Sequence, residues 1–218
     1  MRWMTLCCSA GILIGALQAT RPDSTVAPQD PAAVRQAEVS EILAHMSLVE
    51  LDDGQGHKTK TLRISGLNVQ IVNGAGATCS DAEGGTGLGN LIVGYNETGS
   101  PGGDARSGSH NIVVGQMNSY SGYGWLVAGT SNSVSGMFTT VTGGTQNRSS
   151  GTAASIAGGS NNVASGTASS VVGGAENLAS GTASAVLGGF KNDASGTSST
   201  IRGGHGLAAK DTCESLPE

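Results

Sequence analysis

Aromatic side chains are nearly missing from this sequence, at 3% of its 218 residues, and charged residues reach only 12%. So few large rings exclude an ordinary globular core, which draws much of its buried area from them. The net charge of -5 is spread thinly, with no basic block, so nucleic acid and anionic membrane surfaces are not expected as partners. Cysteine is scarce too. Two of the four cysteines, Cys7 and Cys8, lie in the leading apolar segment, and Cys79 and Cys213 alone do not make a disulfide scaffold. These two flank a repeat array, where eight turns stacked at about 4.8 Å would hold them roughly 35 Å apart. An intramolecular bridge is therefore not expected, and links between chains or free thiols are.

What the sequence has in quantity is glycine, 36 residues of it, together with small polar residues. A disordered low-complexity chain can have that composition, but it has no reason to keep Val and Ile at fixed intervals. Aligning on the glycine after each apolar pair gives Gly94, Gly115, Gly129, Gly143, Gly158, Gly173, Gly188 and Gly203, in steps of 21, 14, 14, 15, 15, 15 and 15. The long first step contains GSPGGDARSGS, which reads as a loop extruded from one coil. Asn132, Asn147, Asn162, Asn177 and Asn192 recur in register as a structural ladder, and Ser165-Gly166, Ser180-Gly181 and Ser195-Gly196 follow the last three.

A turn of 14 or 15 residues with two glycine-marked corners accommodates two strands of about five residues, stacked on the next turn by backbone hydrogen bonds. Glycine suits corners that need a positive φ or a close approach. Stacked Asn side chains are expected to bond along the axis as amide ladders do. The fold class expected is all-β: a parallel β-solenoid, or β-roll, over 90–204, preceded by a short helix. Each coil buries little apolar area against ordering some 15 residues, so a single roll is under-stabilised and a homo-oligomer is expected.

Before the array, residues 1–19 read as a secretory signal peptide and 20–30 as an exposed linker. Asp30-Pro31 has the form of a helix start, and Val39, Ile42, Met46 and Val49 then make an a/d seam, so 31–51 is expected to be a short helix that packs on its own domain or, the favoured reading, forms a coiled coil that sets oligomeric state. Residues 52–89 follow as lead-in strands and a cap, with Leu62, Ile64, Leu67, Val69 and Ile71 half-buried. Residues 205–218 read as a polar C-terminal tail.

The apolar strand, Gly, Asn and A-S-G motif, as in SNNVASGTASS, AENLASGTASA and FKNDASGTSST, resembles the head repeats of trimeric, YadA-like autotransporter adhesins. It is similar also to the Gly/Ser/Ala/Asn-rich repeats of secreted bacterial proteins. The resemblance implies a left-handed β-roll, three chains about one axis, and display outside the cell, where an extracellular-matrix, glycan or cell-surface ligand is bound. Those adhesins carry a membrane-embedded barrel anchor, whereas HGLAAKDTCESLPE has no amphipathic strands, so self-translocation by that route is not expected. A phage or cell-surface fibre component is an alternative.

Enzymatic readings find little to build on. Left-handed helical acyltransferases use six-residue rungs and a catalytic His, and this period is not a multiple of six. His45, His57, His110 and His205 have no partners at motif spacing and read as solvated or structural. The doubled glycines are not followed by the Asp of calcium-binding rolls, and 84–89, GGTGLG, lacks the lysine and helix of a phosphate loop. No catalytic, cofactor-binding or metal-binding residues are assigned, and no cofactor is expected. The stronger rival is a flat binding ladder of Thr152, Thr167, Thr182 and Thr197, suited to ice or a glycan, against which stands hydrogen bonding of those hydroxyls within the solenoid. Tyr120, Tyr123, Trp125 and Phe138, joined by Tyr95, read as a cap or a ligand patch, the cap being favoured.

Overall fold

The computed structural model describes residues 30–78, 86–99 and 103–217, and divides the chain into units at Asn68/Val69. The expected signal peptide, most of the linker, Cys79 and part of the 84–89 glycine run lie outside the described residues.

In the first unit, α1 spans Pro31–Ala44, with Asp30 as N-cap accepting from the Ala32 N–H at 3.0 Å and Pro31 in the first turn. The helix is shorter than the expected 31–51. Residues Met46–Asp52 form β1 instead, antiparallel to β2 (Lys58–Ile64), so Met46 and Val49 leave the helical seam. The reason is a complementary strand that a helical reading ignores: in register, Leu48 faces Leu62, Glu50 faces Lys60 and Asp52 faces Lys58. The turn is held by carboxylates, Asp52 accepting from Gly54 N–H, and Asp53 from Gln55 and His57 N–H. Those bonds hold the Asp53 carboxyl below its ordinary pKa. At the other end His45 Nδ1 lies 2.8 Å from the Ser65 carbonyl. No residue of α1 is buried, and Val39, Ile42, Leu43 and Leu48 are exposed.

The second unit is a parallel β-solenoid. Its first sheet stacks Leu91–Val93, Ile112–Gln116, Leu126–Thr130, Thr140–Val141, Ser155–Ile156, Ser170–Val171, Ala185–Val186, Thr200–Ile201 and Ser215–Leu216. Its second sheet stacks Ser119–Tyr120, Ser133–Val134, Arg148–Ser149, Val163–Ala164, Leu178–Ala179, Asp193–Ala194 and Ala208–Ala209. Every neighbouring pair in both sheets is parallel. Seven coils contribute a strand to each sheet, and one further strand stands at each end of the first.

Three expectations change here. Most strands have two residues, not five, because each coil gives most of its length to two corners; inter-coil pairing nevertheless continues through them, as in the Thr145, Ser160, Ala175 and Phe190 bridges. The segment 205–218 is not a free tail: Ala208–Ala209 and Ser215–Leu216 add the next rung to both sheets. Leu67, Val69 and Ile71, expected in half-buried strands, belong to no strand and are exposed.

The core is a single file of side chains from each sheet. Val141, Ile156, Val171, Val186 and Ile201 from the first meet Ser149, Ala164, Ala179 and Ala194 from the second, all at most 1% exposed. One branched aliphatic opposite one small residue sets a thin interior. In the early coils Tyr120 and Trp125 occupy the same interior and are likewise buried.

Candidate functional site

The two corners of each coil determine which side chains turn inward and which remain available. At the first corner, between the first and second sheets, Asn118, Asn132, Asn147, Asn162, Asn177 and Asn192 are all buried. The expected ladder therefore exists, but its bonds are not amide to amide. The Asn162 side-chain carbonyl accepts the backbone N–H of Asn177 at 3.0 Å, while its Nδ2 donates to Gly158 O in its own coil (3.1 Å) and to Gly174 O in the next (2.9 Å). Asn132, Asn147, Asn177 and Asn192 repeat the pattern, so one side chain closes the corner and joins it to its neighbour.

Glycine does two different jobs. Gly115 and Gly129, and then Gly144, Gly159, Gly174 and Gly189, hold φ between +82° and +100° at the Asn corner. The sequence spacing points to Gly143, Gly158 and their equivalents for this role, but the first glycine of each pair is the inserted fifteenth residue and the second one turns the chain. At the opposite corner Gly166 is buried, and a Cβ on it would overlap the carbonyl oxygen of Gly181 in the next coil. Close approach, not dihedral freedom, demands glycine there. The left-handed position of that corner is filled by Ala153, Ala168, Ala183 and Ser198, each at φ +55° or +56°.

Around Gly166 the corner turns hydroxyls outward. Thr152, Thr167, Thr182 and Thr197 are exposed in register, and their side chains make no hydrogen bond to another described residue. The threonine hydroxyls thus face solvent, while the backbone carbonyls of the same residues accept from the next coil. Ser165, Ser180 and Ser195 form a second exposed column beside it. Just inside the corner, Ser169, Ser184 and Ser199 form a buried column whose hydroxyls have no partner, and Ala154 stands at the same place one coil earlier. The sequence reading missed this column, since a Ser inside an A-S-G-T-A-S corner looks the same as the exposed one.

The outer face of the first sheet is mixed, with Thr140, Thr142, Ser155, Ser170 and Thr200 beside aliphatic side chains. Leu91, Ile112, Val93, Val172 and Leu187 are exposed on it, with Ala157 between them. One coil after Leu187 the equivalent position is taken by the charged Arg202. On the Asn corner near the C-terminal end, Phe190 lies against His205 with ring centroids 5.3 Å apart, and Lys191 sits over the Phe190 ring while pairing with Glu176 at 3.5 Å.

The aromatic group expected to form a cap or ligand patch is divided. Tyr120 and Trp125 are core residues, Tyr123 and Phe138 meet edge to face at 6.1 Å, and Tyr95 is 93% exposed. The histidines are dispersed as expected: His45 at the helix end, His57 beside Asp53, His110 accepting from Asn73 N–H, and His205 on Phe190. Among the described residues no group of three or more His, Cys, Asp and Glu could hold a metal ion, and Cys213 is an exposed free thiol. No described helix is long and apolar enough to cross a membrane. In comparisons with known proteins, no family model matches the chain and no curated protein is similar to it.

Proposed function

We propose that this chain is a non-enzymatic structural or adhesive rod, secreted or displayed at a cell surface, that acts as a homo-oligomer of three copies. The observation that carries the reading is the presence, on the array's exterior, of both exposed aliphatics and a regular hydroxyl column. One sheet turns aliphatic side chains such as Val172 and Leu187 to solvent, while the corner opposite the Asn ladder turns out hydroxyls at a constant interval. Exposed aliphatics on a rigid, repeated face favour association with a like face. The hydroxyl columns then remain outside as a repeated contact surface for an extracellular-matrix or glycan ligand. The exposed Val39, Ile42 and Leu43 on α1 add a second apolar surface for the same assembly.

Sedimentation equilibrium on the full chain tests the assembly: three copies are expected, and Val172→Asp combined with Leu187→Asp is expected to yield monomers. A monomeric wild type at micromolar concentration refutes it. Solid-phase binding to matrix glycoproteins and glycans tests the adhesive role, with loss expected on replacing the four threonines by alanine. The solvent-facing Thr152, Thr167, Thr182 and Thr197 also favour a second reading, an ice-binding ladder. Thermal hysteresis that disappears in the same alanine variant separates it from the first.

A further inference from the structure

We infer that residues 205–217 are a built-in terminator, a last coil whose side chains close the end of the array to any further strand. In the four coils before it the second strand ends on a shared acceptor. Ser165 and Gly166 N–H both donate to Ala179 O, Ser180 and Gly181 to Ala194 O, and Ser195 and Gly196 to Ala209 O. One coil later the same two donors belong to Lys210 and Asp211, and both bond to a single side-chain oxygen, Glu214 Oε2, at 2.6 and 3.0 Å. One carboxylate oxygen thus occupies the place of the carbonyl that a further coil would supply. Glu214 itself stands one repeat after Ser199, in the column that is a buried small residue in the coils before it.

Three other positions change in the same coil, each against stacking. Leu207 replaces the ladder Asn: its N–H donates to Asn192 Oδ1 at 3.0 Å, but it has no side-chain amide to continue the ladder. Asp211 takes the position of Gly151, Gly166, Gly181 and Gly196, where a Cβ would overlap the next coil's backbone oxygen. Pro217 takes the position of Val172, Leu187 and Arg202, whose N–H groups donate to the following strand. A strand arriving here, from downstream chain or from another copy, meets a missing donor, an occupied donor pair, a side chain in the glycine space and a broken ladder. Charged side chains and proline are the usual means of blunting a sheet edge.

The test uses the full chain with Leu207→Asn, Asp211→Gly, Glu214→Ser and Pro217→Val together, which restores the interior pattern. Sedimentation velocity is expected to show species above the wild-type size that grow with concentration, while the wild type shows none. Identical size distributions for the two proteins at every concentration overturn the inference. Glu214→Ala supplies an independent reading by amide exchange: Lys210 and Asp211 are expected to exchange about tenfold faster, with Ser195 and Gly196 unchanged. Unaltered exchange at Lys210 and Asp211 refutes the cap whatever the fate of the combined variant.

Discussion

The two corners of each coil solve one problem in opposite ways. At the Asn corner the side chain closes the turn, Asn162 Nδ2 reaching Gly158 O, four residues back. At the other corner the backbone closes the turn itself, Ser169 N–H donating to Gly166 O at 3.2 Å. Where the backbone has done the work, the inward side chain has nothing left to bond, and the Ser169, Ser184 and Ser199 hydroxyls stand buried and unpartnered. Two buried polar columns at opposite corners of one coil therefore differ completely in what they contribute, and the hydrogen-bond inventory of each corner decides it.

The most severe way to break that contrast is Asn162→Ala. It strands the Asn177 N–H and the Gly158 carbonyl and leaves Gly174 O with the Ser160 N–H as its remaining donor, and a loss of about 3 kcal/mol is expected in chemical denaturation. Gly166→Ala attacks the other corner through space, forcing its coil away from Gly181 O; about 2 kcal/mol of destabilisation is expected. Ala168→Gly acts on the same corner in the opposite direction. It relieves a left-handed alanine at φ +55°, and after the entropy of glycine is subtracted a gain of up to about 1 kcal/mol is expected in thermal unfolding. Ser169→Ala is the smallest change and the most diagnostic, since removing an unpartnered buried hydroxyl is expected to be neutral or to stabilise by less than about 1 kcal/mol. Ala154→Ser, which adds such a hydroxyl where the chain already does without one, is expected to reverse that sign.

The regular coils were the legible part of the fold. The 15-residue spacing located the buried Val and Ile column, the Asn ladder and the register of the threonines, though not their exposure, because a stacked repeat returns each position to one environment. Legibility failed where a position has no repeat to check it. The stretch Met46–Asp52 carries apolar spacings that fit a helix as well as a strand, and only pairing with Lys58–Ile64 selects the strand. Tyr120 and Trp125 read from the sequence as part of a cap or ligand patch, yet the early coils bury both in the core. The segment after Gly204 was read as a tail because its ladder Asn has become Leu207 and its corner Gly has become Asp211.

By itself the sequence determined the period, and with it the stacked rod, since side chains that must be small, branched or amide-bearing at fixed intervals leave a chain few other ways to satisfy them together. Only the tertiary structure decided which glycine turns the chain, which serines face inward, and what Asn162 bonds. Those choices depend on the carbonyl of the coil above, a neighbour 12 or 15 residues away along the chain but only a hydrogen bond away in space.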